Sequence, residues 1–142
     1  MNYEFKKCLE KRKLIKISID ARMVEREIDS AKYDLDKAKD SFTKRDFKWA
    51  TVKSYYVIFH CCRALLYSKG YRERSHRCLL IGLRELFKNT LEDNLIKSFE
   101  EAMDLREEAD YESKFSESSA ESVFEDAEEF LEKAKTLISR KS

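Results

Sequence analysis

A histidine and several arginines that could act on a phosphate stand close together in the segment YRERSHR. His76 comes two residues after Arg74 and four residues after Arg72. The start of a helix attracts anions, and histidine can act as general acid or base in RNA cleavage while arginine steadies the phosphate. The segment predicts either a site with His76, Arg72 and Arg74 as its catalytic residues, or an exposed histidine that only caps or contacts a neighbouring helix.

A second group of polar residues lies on two helical stripes that are otherwise apolar. Its members are Tyr56, His60, Arg63, Arg106, Asp110 and Tyr111. An arginine buried in a core must be paired, because an unpaired buried charge costs several kcal/mol. We therefore expect the partner of Arg63 in the distant segment REEADY, while Asp110 lies one turn from Arg106 on the same face. Two interpretations follow: a ligand or phosphate pocket between two helices, since arginine suits phosphate recognition, or a satisfied network that only fixes the register of the helices.

Metal and cofactor sites are not expected from the side chains available. His60 and Cys62 are about 200° apart around a helix, and the chain has no CxxC or HxxxH pair. It also lacks a glycine-rich phosphate loop and a Gly-x-Ser-x-Gly elbow. Because Cys8, Cys61, Cys62 and Cys78 show no framework spacing, we expect four reduced thiols.

The elements that must position these residues are helices. The 142-residue chain has no proline, only two glycines and 40% charged residues, a composition that favours long helices. Apolar residues recur at steps of three and four in the segments 17–42, 49–66, 95–109 and 123–137. No segment alternates with period two, so strands are not expected. We predict an all-α fold, an antiparallel up-and-down four-helix bundle with additional short helices.

Length and local signals divide the chain further. The length predicts one domain over residues 1–142, with a peripheral N-terminal helix in 1–15 and a core in 17–140. The possible caps for the second long helix are Ser41, Thr43 and Asp46. Gly70 is a candidate stop for that helix, and Ser75 a candidate start for a short helix.

The charges are unevenly distributed although the net charge is only +1. Residues 91–132 carry 16 acidic and three basic residues, whereas 69–88 carry six basic and two acidic residues. The basic segment could meet phosphate or an acidic partner surface, or the two regions could compensate each other within the protein or across an oligomer. The opening residues lack the apolar core of a signal peptide, and no apolar run spans a bilayer. We therefore expect a cytoplasmic protein that does not enter a membrane.

Two longer segments resemble the HEPN domain family (higher eukaryotes and prokaryotes nucleotide-binding), in particular its small prokaryotic stand-alone branch. YYVIFHCCRALLYSKGYRERSH holds a tyrosine pair, Phe-His, Arg-Ala-Leu-Leu, Lys-Gly and a later histidine, and LREEADY follows about thirty residues on. The resemblance covers about residues 17–137. It implies an antiparallel helical bundle that forms homodimers, and it matches the polar group to recurring positions of the branch.

The resemblance also implies a function. Many members are encoded beside a minimal nucleotidyltransferase in a toxin–antitoxin-like pair, in which the HEPN protein is the ribonuclease toxin. The family's ribonuclease motif is an arginine, four to six residues and a histidine, often with a tyrosine two positions later. Here three residues separate Arg72 from His76, six separate Lys69 from His76, and Cys78 stands where the tyrosine would be.

Two hypotheses about function follow. The first is a HEPN protein that interacts with RNA or a nucleotide and with a nucleotidyltransferase, with metal-independent endoribonuclease activity left open by the altered motif. The second is a non-catalytic helical module that binds a partner protein and whose polar group is purely structural.

Overall fold

The computed structural model describes residues 2–111 and 115–139, without the side chains of Asp110 and Tyr111. Within those residues the chain forms six helices and two short strands. In order they are α1 (Tyr3–Glu10), β1 (Leu14–Lys16), α2 (Ala21–Thr43), α3 (Phe47–Ser68), β2 (Tyr71–Glu73), α4 (His76–Leu86), α5 (Asp93–Tyr111) and α6 (Glu117–Ser139). None of the described helices is both long and apolar enough to cross a bilayer.

Helix α3 is the centre of the molecule. It packs against α2, α4, α5 and α6, and 14 of its 22 residues are buried, so little of its circumference faces water. The four long helices α2, α3, α5 and α6 form the bundle, with α1 and α4 as the additional short helices. The predicted all-α class is confirmed.

A small antiparallel sheet corrects the expectation that strands are absent. β1 pairs with β2 in the register Leu14 to Glu73, Ile15 to Arg72 and Lys16 to Tyr71. Each strand has three residues, which is too short for an alternating pattern to be recognised in the sequence. The sheet joins the segment before α2 to the segment between α3 and α4, so it fixes the path of the chain into α4.

Local signals set the ends of the helices. Asp46 caps α3 and accepts a hydrogen bond from the amide of Trp49 at 3.3 Å, while Ser75 caps α4 and accepts from the amide of Cys78 at 3.1 Å. Gly70 has φ of +82° and follows the last turn of α3, a backbone conformation that glycine adopts without strain. Of the three possible caps for α3, Asp46 is the one observed, and the predicted stop at Gly70 and start at Ser75 are confirmed.

The expectation of four reduced thiols is wrong for two of the cysteines. Cys8 on α1 and Cys78 on α4 form a disulfide with their Cα atoms 5.8 Å apart, although 70 residues separate them in the chain. Their proximity arises because α1 packs on α4, which the spacing of cysteines in the sequence does not reveal. Cys61 and Cys62 are free and buried within α3, where desolvation raises the pKa of both thiols.

We predict that the disulfide stabilises the fold by closing a long loop. Replacing Cys8 with Ser should lower the free energy of unfolding by about 2–4 kcal/mol, because the unfolded chain regains the freedom of the 70-residue loop. Urea unfolding followed by circular dichroism measures the change. Dithiothreitol should destabilise the wild type by a similar amount and leave Cys8→Ser unaffected. Equal sensitivity of the two proteins to the reductant would contradict the assignment.

Candidate functional site

His76 is the first residue of α4 and its side chain is exposed. Its ring nitrogen Nδ1 lies 3.3 Å from the hydroxyl of Tyr55 on α3. The ring of Phe59, one turn along α3, lies 5.0 Å from the imidazole centroid to centroid. The imidazole therefore packs against aromatic side chains of α3, and its Nδ1 has the Tyr55 hydroxyl as a hydrogen-bond partner.

The Tyr55 hydroxyl stays protonated at neutral pH. Tyr55 is fully buried, and burial raises its pKa to about 12, although the positive charge of Arg106 opposes the shift. The guanidinium carbon of Arg106 lies 5.0 Å from the centre of the Tyr55 ring. Because a hydroxyl can donate or accept, Tyr55 can partner either neutral tautomer of His76 and also its protonated form. The ring can thus gain or lose a proton at Nε2 while Nδ1 keeps its partner.

The two predicted catalytic arginines precede His76 in the chain, on β2 and just after it. Arg72 on β2 and Arg74 just after it are exposed, and the amide of Arg74 donates to the carbonyl of Lys13 at 2.9 Å. In the described part of the chain, neither guanidinium forms a hydrogen bond or an ion pair with His76.

The predicted polar group does not form one cleft, because its members face different neighbours. His60 and Arg63 point towards α2 and β2, whereas Arg106 lies against Tyr55. Tyr56 is at the surface, 37% exposed, with its ring edge-on to Tyr55 at 5.0 Å. The side chains of Asp110 and Tyr111 lie outside the described residues.

Arg63 is enclosed by acceptors. Its Nη1 lies 3.3 Å from Oε1 of Glu27, its Nε lies 3.6 Å from Oε1 of Glu73, and its Nη2 donates to the hydroxyl of Tyr67. Burial disfavours the charge of Arg63, but the carboxylates of Glu73 and Glu27 outweigh this effect and raise its pKa. The partner of Arg63 expected in the segment REEADY is replaced by these residues of α2 and β2.

His60 extends this ion-pair cluster along α2. Its Nδ1 lies 3.3 Å from Glu27 and its Nε2 lies 3.5 Å from Oδ2 of Asp34. Burial raises the pKa of Asp34, and the charges of His60 and Lys53 oppose that shift. Of the side chains described, no three or more His, Cys, Asp or Glu are grouped so that they could hold a metal ion.

Sequence reasoning missed four residues of these clusters: Tyr55, Glu27, Asp34 and Glu73. Glu27 and Asp34 are seven residues apart and therefore lie two turns apart on one face of α2. Two acidic residues on one face of a helix could have been predicted to pair with His60 and Arg63 on the next helix. Glu73 carries no comparable signal, because its inward direction depends on the unpredicted strand. Tyr55 is missed because the predicted stripe passes through Tyr56, the exposed residue of the pair.

We predict that Arg63 stabilises the fold. Arg63→Ala should lower the free energy of unfolding by about 2–3 kcal/mol, because the largely buried carboxylates of Glu27 and Glu73 lose their cation. The matched control is Arg22→Ala, whose side chain is 81% exposed beside Asp20, and this change should stay below about 0.5 kcal/mol. Chemical denaturation measures both. A stable Arg63→Ala protein that has lost affinity for ATP in calorimetry would instead favour the ligand-pocket interpretation.

Comparison with known proteins gives the family. The HEPN domain model matches residues 24–137. The chain is 30% identical over 114 residues to "Putative toxin MJ0605" of Methanocaldococcus jannaschii, covering 78% of this chain and 85% of that protein. It is 30% identical over 106 residues to a "UPF0332 protein" of Archaeoglobus fulgidus, covering 72% and 85%, and 27% identical over 125 residues to "Putative toxin MJ0142" of M. jannaschii, covering 85% of each. With four-fifths of its length in that match and with its all-α fold, the chain belongs to the HEPN domain family.

Proposed function

We propose that the protein is a HEPN toxin that cleaves RNA at His76. The observation that carries the proposal is the exposed imidazole of His76 at the start of α4, with Nδ1 held 3.3 Å from the buried hydroxyl of Tyr55. A histidine fixed at one nitrogen and open at the other is suited to general acid–base catalysis. Two relatives whose names read "Putative toxin" support the toxin part of the proposal.

The chemistry we propose is cleavage by the ribose 2′-hydroxyl. Nε2 of His76 takes the proton of the 2′-hydroxyl, and the oxygen attacks the adjacent phosphorus. The bond from phosphorus to the 5′-oxygen breaks, and that oxygen leaves with a proton supplied by the protonated histidine of a second copy. The products are a 2′,3′-cyclic phosphate and a 5′-hydroxyl, so atoms and charge balance without an oxidant or other co-reactant.

Arg72 and Arg74 have the role of holding the phosphate in this proposal. Both are exposed, and a helix N-terminus adds partial positive charge at His76. One histidine cannot easily serve as base and acid in one step, so we propose a homodimer in which two copies of the segment 72–77 face one RNA strand. The altered spacing between Arg72 and His76 is compatible with this role, because the long, flexible side chain of arginine can reach a phosphate from more than one backbone position.

We also propose a nucleotidyltransferase as the protein partner. Within residues 2–111 and 115–139, few basic side chains pair with the acidic segment of α5 and α6; Arg84 pairs with Glu100 and Arg45 with Glu117. Burial and the neighbouring Glu101 and Glu129 raise the pKa of Asp126. Acidic residues this crowded favour a basic partner surface. The same surface also suits the second candidate function, a non-catalytic module.

His76→Ala should abolish cleavage of a single-stranded RNA, with at least a roughly hundredfold loss of rate. The measurement is gel electrophoresis of an end-labelled RNA in EDTA, with mass spectrometry to identify the cyclic phosphate. Added imidazole should restore part of the activity, since the vacated site is exposed. Arg72→Ala and Arg74→Ala should each reduce the rate, whereas Arg22→Ala on α2 should not.

Equal cleavage by wild type and His76→Ala, or no cleavage by either, would contradict the catalytic proposal. The dimer has its own test within the same assay. A fixed amount of wild type mixed with excess His76→Ala protein should lose activity as mixed dimers form, and unchanged activity would argue against a shared site.

A minimal nucleotidyltransferase gene should lie beside the gene for this protein, and the two products should form a complex that weakens as salt rises. Replacing Glu125, Glu128 and Glu129 with Gln should weaken the complex further, because it removes three exposed negative charges on α6. Replacing Glu10, Glu25 and Asp36 with their amides is the matched control elsewhere. If both variants bind the nucleotidyltransferase with equal affinity, the proposal that the acidic surface of α6 forms the interface is contradicted.

A further inference from the structure

A basic cavity lies between α1 and the start of α4, and two of the residues that line it flank His76 in the chain. Its volume is about 240 Å³, and its lining includes Lys7, Lys11, Lys13, Ser75 and Arg77. The lysines come from α1 and the segment before β1, whereas Ser75 and Arg77 flank His76 at the start of α4. The cavity is therefore built by two separate parts of the chain.

Most of the positive charge in this cavity is not neutralised by the protein. Glu4 is the acidic residue in the lining, and its Oε2 lies 3.0 Å from Nη2 of Arg77. Lys7, Lys11 and Lys13 are exposed, and no carboxylate pairs with them within residues 2–111 and 115–139. Three such lysines around one concave surface attract an anion more strongly than lysines spread over a flat surface.

The two sides of the cavity are held at a fixed separation. The disulfide from Cys8 to Cys78 joins α1 to α4 at its edge, and the amide of Arg74 donates to the carbonyl of Lys13 at 2.9 Å. Arg77 bridges the same two elements through Glu4. A site whose parts are held in place loses less entropy when it binds a ligand.

We propose that this cavity binds a backbone phosphate of RNA next to the phosphodiester at His76. The inference rests on the proposed function and extends it, because it names where the strand continues beyond the cleaved bond. The location favours RNA over a free anion, because Ser75 and Arg77, which line the cavity, flank His76 in the chain, so the cavity and the imidazole both lie at the start of α4. Its lysines contact phosphate rather than bases, so this part of the site reads no sequence.

The test compares two triple variants of equal charge change in the His76→Ala protein. One carries Lys7→Gln, Lys11→Gln and Lys13→Gln. The control carries Lys32→Gln, Lys39→Gln and Lys44→Gln, exposed lysines of α2 and its C-cap. The probe is a fluorescein-labelled single-stranded RNA of about 12 nucleotides, and its affinity is measured by anisotropy between about 50 and 200 mM KCl.

We expect the cavity variant to bind at least about tenfold more weakly at the lowest salt concentration. Its plot of log affinity against log salt should be shallower by about 0.7 for each RNA phosphate that the variant no longer neutralises. The control should bind within about twofold of the parent. Equal affinity of the cavity variant and the parent, or equal weakening of both variants, would overturn the inference. Circular dichroism checks that both variants are folded.

The outcomes separate this inference from the proposed function. If wild type cleaves RNA and His76→Ala does not, but the cavity variant binds as tightly as its parent, the function stands and the cavity assignment fails. If wild type neither binds nor cleaves RNA, both fail. If calorimetry shows that ATP binding, but not RNA binding, depends on the three lysines, the site serves a free nucleotide and the RNA assignment is overturned.

Discussion

The positive charge of Arg63 inside an otherwise enclosed helix is the constraint on which the rest of the site depends. Because α3 is packed on most sides, that charge is neutralised by Glu27 of α2 and Glu73 of β2. Successive side chains of a strand point to opposite faces. Once Glu73 turns inward to Arg63, Arg72 and Arg74 turn outward, where both are exposed. An internal ion pair thus sets the direction of the arginines at the candidate site.

The same helix also supplies the support for His76. Tyr55 and Phe59 lie one turn apart on α3, and both touch the imidazole. The guanidinium of Arg63 lies 5.4 Å from the Phe59 ring, while that of Arg106 lies 5.0 Å from the Tyr55 ring. Two cations therefore flank an aromatic layer whose exposed end carries the histidine. Polar and aromatic parts of the site are continuous through α3, which explains why they occur in one stretch of sequence.

The helical class, the caps and the position of His76 could be predicted because each depends on residues close together in the chain. Asp46, Gly70 and Ser75 act on their own helix ends, and the three- and four-residue steps report local packing. Contacts between distant segments could not be obtained in this way. The partner of Arg63 is one example: the sequence predicted it in the segment REEADY, whereas Glu27 and Glu73 pair with Arg63 in the structure.

The inward orientation of the Glu73 side chain and the proximity of Cys8 to Cys78 could not be predicted from the sequence for the same reason. Neither Glu73 nor the pair of Cys8 and Cys78 has a local pattern that distinguishes it from its neighbours in sequence. Both depend on how α1, β1 and α4 come together. The stripe through Tyr56 was misplaced for a different reason: α3 is buried almost all round, so its apolar residues do not define a single face.

The disulfide has a further consequence for covalent topology. It makes residues 8–78 a closed ring that contains β1, α2, α3, β2 and the start of α4. Tyr55, Arg63 and His76 all belong to this ring, whereas Arg106 lies on the linear part of the chain. A protease that cuts one bond between residues 9 and 77 opens the ring without releasing a fragment. In denaturing gel electrophoresis without a reductant, the two parts of a nicked molecule would therefore stay joined by the disulfide, and they would separate only after reduction.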